Sequence, residues 1–131
     1  MKIINPERLG RPRGYANGVL ADAGGRVLFV AGQIGCDEQQ RIVSEDFVEQ
    51  FARALENVLA VVTDAGGTPE QIARMTIYVT DKREYAARTR EVGERWRELM
   101  GQHYPAMTLV EVRSLLADDA QVEIEATAVL P

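Results

Sequence analysis

Glu123 and Glu125 stand two positions apart in a β-patterned run, so their carboxylates share one side of a strand. A partly desolvated carboxylate has a raised pKa and can hold a water while moving its protons, which is what general acid–base catalysis of a hydrolysis requires. The plainer reading is a pair of charges on an exposed strand face, and the residues alone leave both open. Gly32-Gln33-Ile34-Gly35 is a candidate ligand loop. Two glycines so close let the backbone bend and present N–H groups near Gly32 and Ile34 to a carboxylate or carbonyl oxygen, although a simple tight turn would use the same residues. The Tyr15 hydroxyl could contact a ligand or bond locally while its ring packs.

Other chemistries find no support. The single cysteine, Cys36, can form no intrachain disulfide, and one cysteine with one histidine cannot assemble a zinc ligand set, so no metal is expected. His103 follows a helix and precedes Tyr104-Pro105, where a histidine can interact with the helix's terminal carbonyls. A ribonuclease would want paired acid–base groups and a basic groove; the 15 basic and 20 acidic residues give a net charge of -5, which repels a phosphate backbone. No nucleic-acid partner is expected.

The elements that must position these residues follow from pattern. The 131 residues suit one domain spanning 1–131, and 46% hydrophobic with 27% charged residues is an ordinary globular balance. The apolar runs are far shorter than the roughly 20 residues a bilayer span needs, so no membrane partner is expected. MKIINPERLG lacks the apolar region of a secretory signal, which predicts a cytoplasmic protein. Lys2 to Asn5 reads as a short strand, and Tyr15 to Ala21 and Arg26 to Ala31 as two strands joined by Gly24-Gly25 into a hairpin. Phe47, Phe51, Leu55, Val58, Leu59 and Val62 recur at helical spacing, after an acidic start and before Gly66-Gly67. Thr68-Pro69-Glu70-Gln71 has the capping-box pattern ahead of a strand from Ala73 to Thr80. A second long helix follows with Tyr85, Thr89, Val92, Trp96, Leu99 and Met100 on one face. Ala106 to Ser114 and Gln121 to Leu130 read as two strands, expected to be adjacent and antiparallel. The predicted class is α+β, a mostly antiparallel sheet with two long helices on one face. Strands apolar at consecutive positions, such as Val27 to Val30, predict an oligomer contact through the second face.

Several fragments in this order resemble the Rid family, also called YjgF or L-PSP endoribonuclease-like, across nearly the whole chain. They are Tyr15-Ala-Asn-Gly18, Ala31-Gly32-Gln33-Ile34, Asn57-Val58 with Ala65-Gly66, Val79-Thr80-Asp81, and the closing set Pro105-Ala106, Val110-Glu111-Val112 and Glu123-Ile124-Glu125-Ala126. The resemblance implies a chorismate-mutase-like subunit, a homotrimer, and small-molecule clefts between neighbouring subunits. It also implies hydrolysis of enamines or imines to a keto acid and ammonia, without metal or cofactor. In the family a glutamate positions the attacking water, a role that falls on Glu123, and an arginine grips the substrate carboxylate.

That arginine is replaced here by Met107. Methionine supplies apolar volume where arginine supplies a bidentate charge. Arg113 lies six residues along, roughly 20 Å at strand rise, too far to substitute. Arg13 or an arginine of a neighbouring subunit stays open as a replacement. Thr89 stands where deaminase members often carry asparagine, and Leu109 where many carry a small or cysteine side chain. The resulting ligand set is Tyr15, Gly32, Ile34, Thr89, Met107 and Leu109 around a catalytic Glu123. Two readings follow: a hydrolase for a small imine, enamine or related reactive metabolite other than the usual 2-imino acids, or a non-catalytic binding trimer of the same fold.

Overall fold

The computed structural model describes residues 1–131. Helix α1, Phe47–Asp64, begins where the sequence supplies a cap, because the Asp46 carboxylate accepts the Glu49 N–H at 3.1 Å. It ends at Gly66, whose φ of 86° suits a residue without Cβ, and the Gly67 N–H donates back to the Val62 carbonyl at 2.9 Å. Phe51, Leu55, Val58 and Val62 are fully buried along one face, each worth roughly 1.5–3 kcal/mol of apolar burial.

That face lies on a four-stranded sheet. With β3 as Arg26–Ile34, β4 as Ile72–Val79, β5 as Ala106–Glu111 and β6 as Val122–Leu130, the strand order is β3-β6-β4-β5. β6 is antiparallel to both its neighbours, whereas β4 and β5 are parallel. The last two strands therefore run in opposite directions, as expected from the sequence, but they are not adjacent, because β4 lies between them. The helical crossover between β4 and β5 returns the chain to run alongside β4, as such crossovers do, and β6 takes the central slot. Its residues alternate accordingly: Val122, Ile124, Ala126, Ala128 and Leu130 are buried toward α1, while Glu123, Glu125, Thr127 and Val129 are half-exposed on the other face.

Two further corrections concern local pairing. The expected hairpin does not form: β2, Gly18–Leu20, pairs with β1, Lys2–Ile4, in a separate two-stranded sheet. Gly24 and Gly25 instead turn the chain against the end of β6, where a Cβ on Gly25 would lie 2.7 Å from Val129 Cγ1. The second long helix is two segments, α2, Lys82–Ala87, and α3, Thr89–Met100. The break is at Arg88, whose backbone leaves the helical region at φ -122° and ψ 23°. Its guanidinium spans the break, pairing with Asp46 at 2.6 Å, Glu91 at 2.6 Å and Glu84 at 3.4 Å. Arg88 thereby holds the Asp46 carboxyl below the usual carboxylate range. The expected apolar face survives the break, since Tyr85, Val92 and Trp96 still look the same way.

The capping box forms as read, with the Thr68 N–H donating to Gln71 Oε1 at 2.9 Å. His103 differs: its ring Nε2 bonds the Ile72 carbonyl at 2.7 Å rather than the end of α3, and only its backbone N–H reaches Met100.

One polar side chain is buried inside this packing. Gln50 on α1 donates from Nε2 to the Ser44 and Asp119 carbonyls at 2.9 and 3.0 Å, and its Oε1 accepts the Gln121 N–H at 2.8 Å. It ties the loop before α1 to the segment entering β6. The helix can approach there because Gly35 has no side chain; a Cβ would sit 2.6 Å from the Gln50 carbonyl oxygen. Gln50→Leu keeps the volume but strips the partners from three backbone groups. It should lower the unfolding free energy by about 1–3 kcal/mol, read as a lower urea midpoint at unchanged slope. A variant as stable as wild type would show that these bonds contribute nothing.

Candidate functional site

The expected site residues fall on opposite faces of the sheet. Glu123 sits on the face away from the helices, directly opposite Tyr78 of β4 and Ile34 of β3. Its position depends on a bulge: between Val30 and Gln33, β3 carries one residue more than the facing stretch of β6. The sequence expectation of a loop at Gly32 to Gly35 is thus realised as a bulge inside β3, which continues to Ile34. At the bulge a Cβ on Gly32 would overlap Glu123 Oε1 and lie 2.9 Å from its Cδ. Glycine is required here for space, so that the Glu123 carboxylate can lie over the backbone.

Glu123 accepts no hydrogen bond from another group of the chain, whereas Glu125 accepts one from the Tyr78 hydroxyl. That bond to Glu125 is the main cause of a raised Tyr78 pKa; desolvation and the charges of Glu125 and Glu123 add to it. Glu125 is engaged and Glu123 is free. Alongside, Arg74 Nη2 donates to Thr108 Oγ1 at 3.0 Å, so strands β4, β5 and β6 present a connected polar surface. Sequence analysis did not single out Tyr78, because only the pairing of β4 with β6 puts it between the two glutamates.

Met107 faces the other way. Paired with Met75 in the parallel ladder, it points toward the helices and lines a cavity of ≈ 470 Å³ beneath α2 and α3. The walls are apolar, from Phe51, Ile77, Tyr85, Val92 and Trp96, while Arg13, Thr89 and Arg97 bring polar groups. Burial raises the pKa of the Tyr85 phenol, which remains the neutral donor. Trp96 is fixed by its Nε1–H bond to the His103 carbonyl at 3.1 Å and by stacking on Tyr104 at 5.9 Å. Met107, Thr89 and Arg13 were legible in the sequence as candidates, whereas Arg97 was not.

The remaining expected residues lie at the margins. Leu109 is half-buried and packs on the core. Ile34 gives its carbonyl to Asn57 Nδ2 at 2.9 Å, which occupies that oxygen. Tyr15 is 40% exposed and lines a separate depression with Asn5, Arg11 and Tyr104. It is anchored beside the start of β5 by the Ala16 N–H bond to the Pro105 carbonyl at 2.9 Å. Within one chain, Glu123 with Gly32 and Met107 with Thr89 form two separate neighbourhoods. No cluster of three or more His, Cys, Asp or Glu side chains capable of holding a metal ion is present. No helix is long and apolar enough to cross a membrane.

Comparison with known proteins accounts for this architecture. Residues 9–130 match the family model described as Endoribonuclease L-PSP. A RutC family protein of Pyrococcus abyssi is 34% identical over 129 residues, covering 97% of this chain and 95% of the relative. TdcF of Escherichia coli (strain K12), provisionally named a reactive intermediate deaminase, is 35% identical over 132 residues, covering 98% and 96% of the two chains. Among solved structures, the Rid family protein YyfB of Yersinia pestis superposes with a TM-score of 0.86 at 28% identity, over 98% of each chain. Escherichia coli TdcF with bound serine gives a TM-score of 0.71 at 34% identity, over 100% of each chain. An α+β chain with this strand order, this glycine bulge and these relatives belongs to the Rid family, the group also known as YjgF and L-PSP.

Proposed function

We propose that this chain is a Rid-family hydrolase that converts a small imine or enamine to its carbonyl product and ammonia, in clefts shared between subunits of a homotrimer. The observation that carries the reading is the free Glu123 carboxylate laid over the Gly32 bulge, next to a Glu125 already engaged by Tyr78. A carboxylate so placed takes a proton from water as the oxygen adds to the C=N carbon and passes it to the nitrogen, giving the neutral carbinolamine. It then carries the hydroxyl proton to the nitrogen as the C–N bond breaks, releasing ammonia and leaving C=O. The bound serine in TdcF and that protein's name favour a ligand of amino-acid size and origin.

The partition of these residues between the two sheet faces supports a shared cleft. Glu123 lies on an interior strand with β3 and β4 on either side, and Met107 lies on the opposite face, so a ligand touching both must lie between two chains. The open face favours such an assembly, since Phe29 is 79% and Val27 54% exposed there. Met107 in place of the expected arginine argues against a small 2-imino acid gripped at that position. It also favours the second reading, a trimer of this fold that binds a small molecule without turning it over.

Imines generated in situ by an amino-acid oxidase separate the two readings. Wild type should accelerate ammonia release, and Glu123→Gln should lower that rate by about a hundredfold or more. If wild type adds nothing over buffer for charged and uncharged imines alike, the non-catalytic reading takes its place. The assembly is checked by sedimentation equilibrium, where the expected mass is three times the 14.5 kDa subunit at micromolar concentration. A single-subunit mass would remove the shared clefts.

A further inference from the structure

We propose that Arg13 and Arg97 form an anion-binding subsite at the cavity beneath α2 and α3, making this a cleft for a carboxylate with a bulky apolar, preferably aromatic, body. The inference rests on the reading of that cavity as the ligand cleft and names the class of ligand it takes. Both arginines line the cavity with Met107 from exposed positions, and neither has a carboxylate within ion-pair distance, although the chain is acidic overall.

The contrast with the other arginines of α3 and of the break before it is specific. Arg88, Arg90 and Arg95 each pair with glutamates, the last with Glu49 at 2.6 Å and Glu98 at 3.2 Å. Arg97 is left out because Glu94, one turn before it, is taken by Arg90 at 3.6 Å, and position 93 is glycine. Gly93 shapes the outcome: a Cβ there would lie only 3.3 Å from Arg97 Nη1, so the guanidinium folds back across the space the glycine leaves. Glycine inside an exposed helix costs about 1 kcal/mol relative to alanine. Here it lets an exposed guanidinium lie back along the mouth of the cavity.

The remaining walls specify the body of the ligand. Phe51, Tyr85, Val92, Trp96 and Met107 enclose ≈ 470 Å³ of largely apolar space, a volume typical of small-molecule sites. Neither the Tyr85 nor the Thr89 hydroxyl makes a hydrogen bond within the chain, which leaves two further donors for a bound oxygen. Met107 then serves as the apolar floor of a site whose charge has moved to Arg13 and Arg97.

Phenylpyruvate, an aromatic 2-keto acid, is the test ligand. Pyruvate lacks its apolar body and 4-phenylbutan-2-one lacks its carboxylate. By titration calorimetry on the intact protein, phenylpyruvate should bind at least about tenfold tighter than either control. The double variant Arg13→Gln with Arg97→Gln should raise its Kd about tenfold or more while leaving the ketone unaffected. Arg41→Gln, which removes an arginine paired with Asp37 away from the cavity, should change neither. An unaltered Kd in the double variant, equal binding of phenylpyruvate and the ketone, or no phenylpyruvate binding at millimolar concentration would overturn the subsite. Hydrolysis is read separately, so arginine-dependent binding without turnover would reject the hydrolase reading alone. Turnover that is indifferent to both arginines would reject the subsite alone.

Discussion

Strand β6 lies between two others, and the two-residue alternation of its side chains constrains the rest of the molecule. Its even-numbered residues, from Val122 to Leu130, are buried against α1, so its odd-numbered ones must face away. A slip of one residue would bury Glu123 and Glu125 without partners and expose five apolar side chains, which fixes the register firmly. The same alternation runs through β4 and β5, placing Tyr78 with the glutamates and Met107 with the helices. The sheet is therefore both the core's floor and a wall between two functional neighbourhoods.

Each neighbourhood depends on a position where a side chain is missing. Gly32 gives Glu123 room above the bulge, Gly35 lets α1 close onto the end of β3, and Gly93 lets Arg97 lie along the cavity. The buried Gln50 side chain is satisfied by three backbone groups, and charges on the helices are mostly paired. A carboxylate on one face and two guanidinium groups on the other stand without an ion-pair partner beside the spaces these glycines leave. Both fit the recognition of a polar ligand.

Much of this was legible in the sequence. The α1 caps, the Thr68–Gln71 capping box and the shared side of Glu123 and Glu125 follow from local spacing, and local spacing is what the chain obeys there. Strand partners were not legible in the same way. The β5–β6 hairpin and the hairpin across Gly24-Gly25 both assume that sequence neighbours pair, whereas the α2–α3 crossover forces β5 parallel to β4 and frees the centre for β6. The break at Arg88 has no proline or glycine to announce it. Tyr78 and Arg97 became visible only through what tertiary packing places beside them.

The central claim is that Glu123 and the Met107 cavity act together only across two chains. Mixing two inactive variants tests it directly: Glu123→Gln, which loses the carboxylate, and Gly93→Trp, which fills the cavity. After co-refolding at equal concentration, random assortment in a ring should give about one interface in four with an intact carboxylate facing an intact cavity, and imine hydrolysis should return to about a quarter of wild type. No recovery above the separate variants would place both groups in the same chain and contradict the partition on which this account rests.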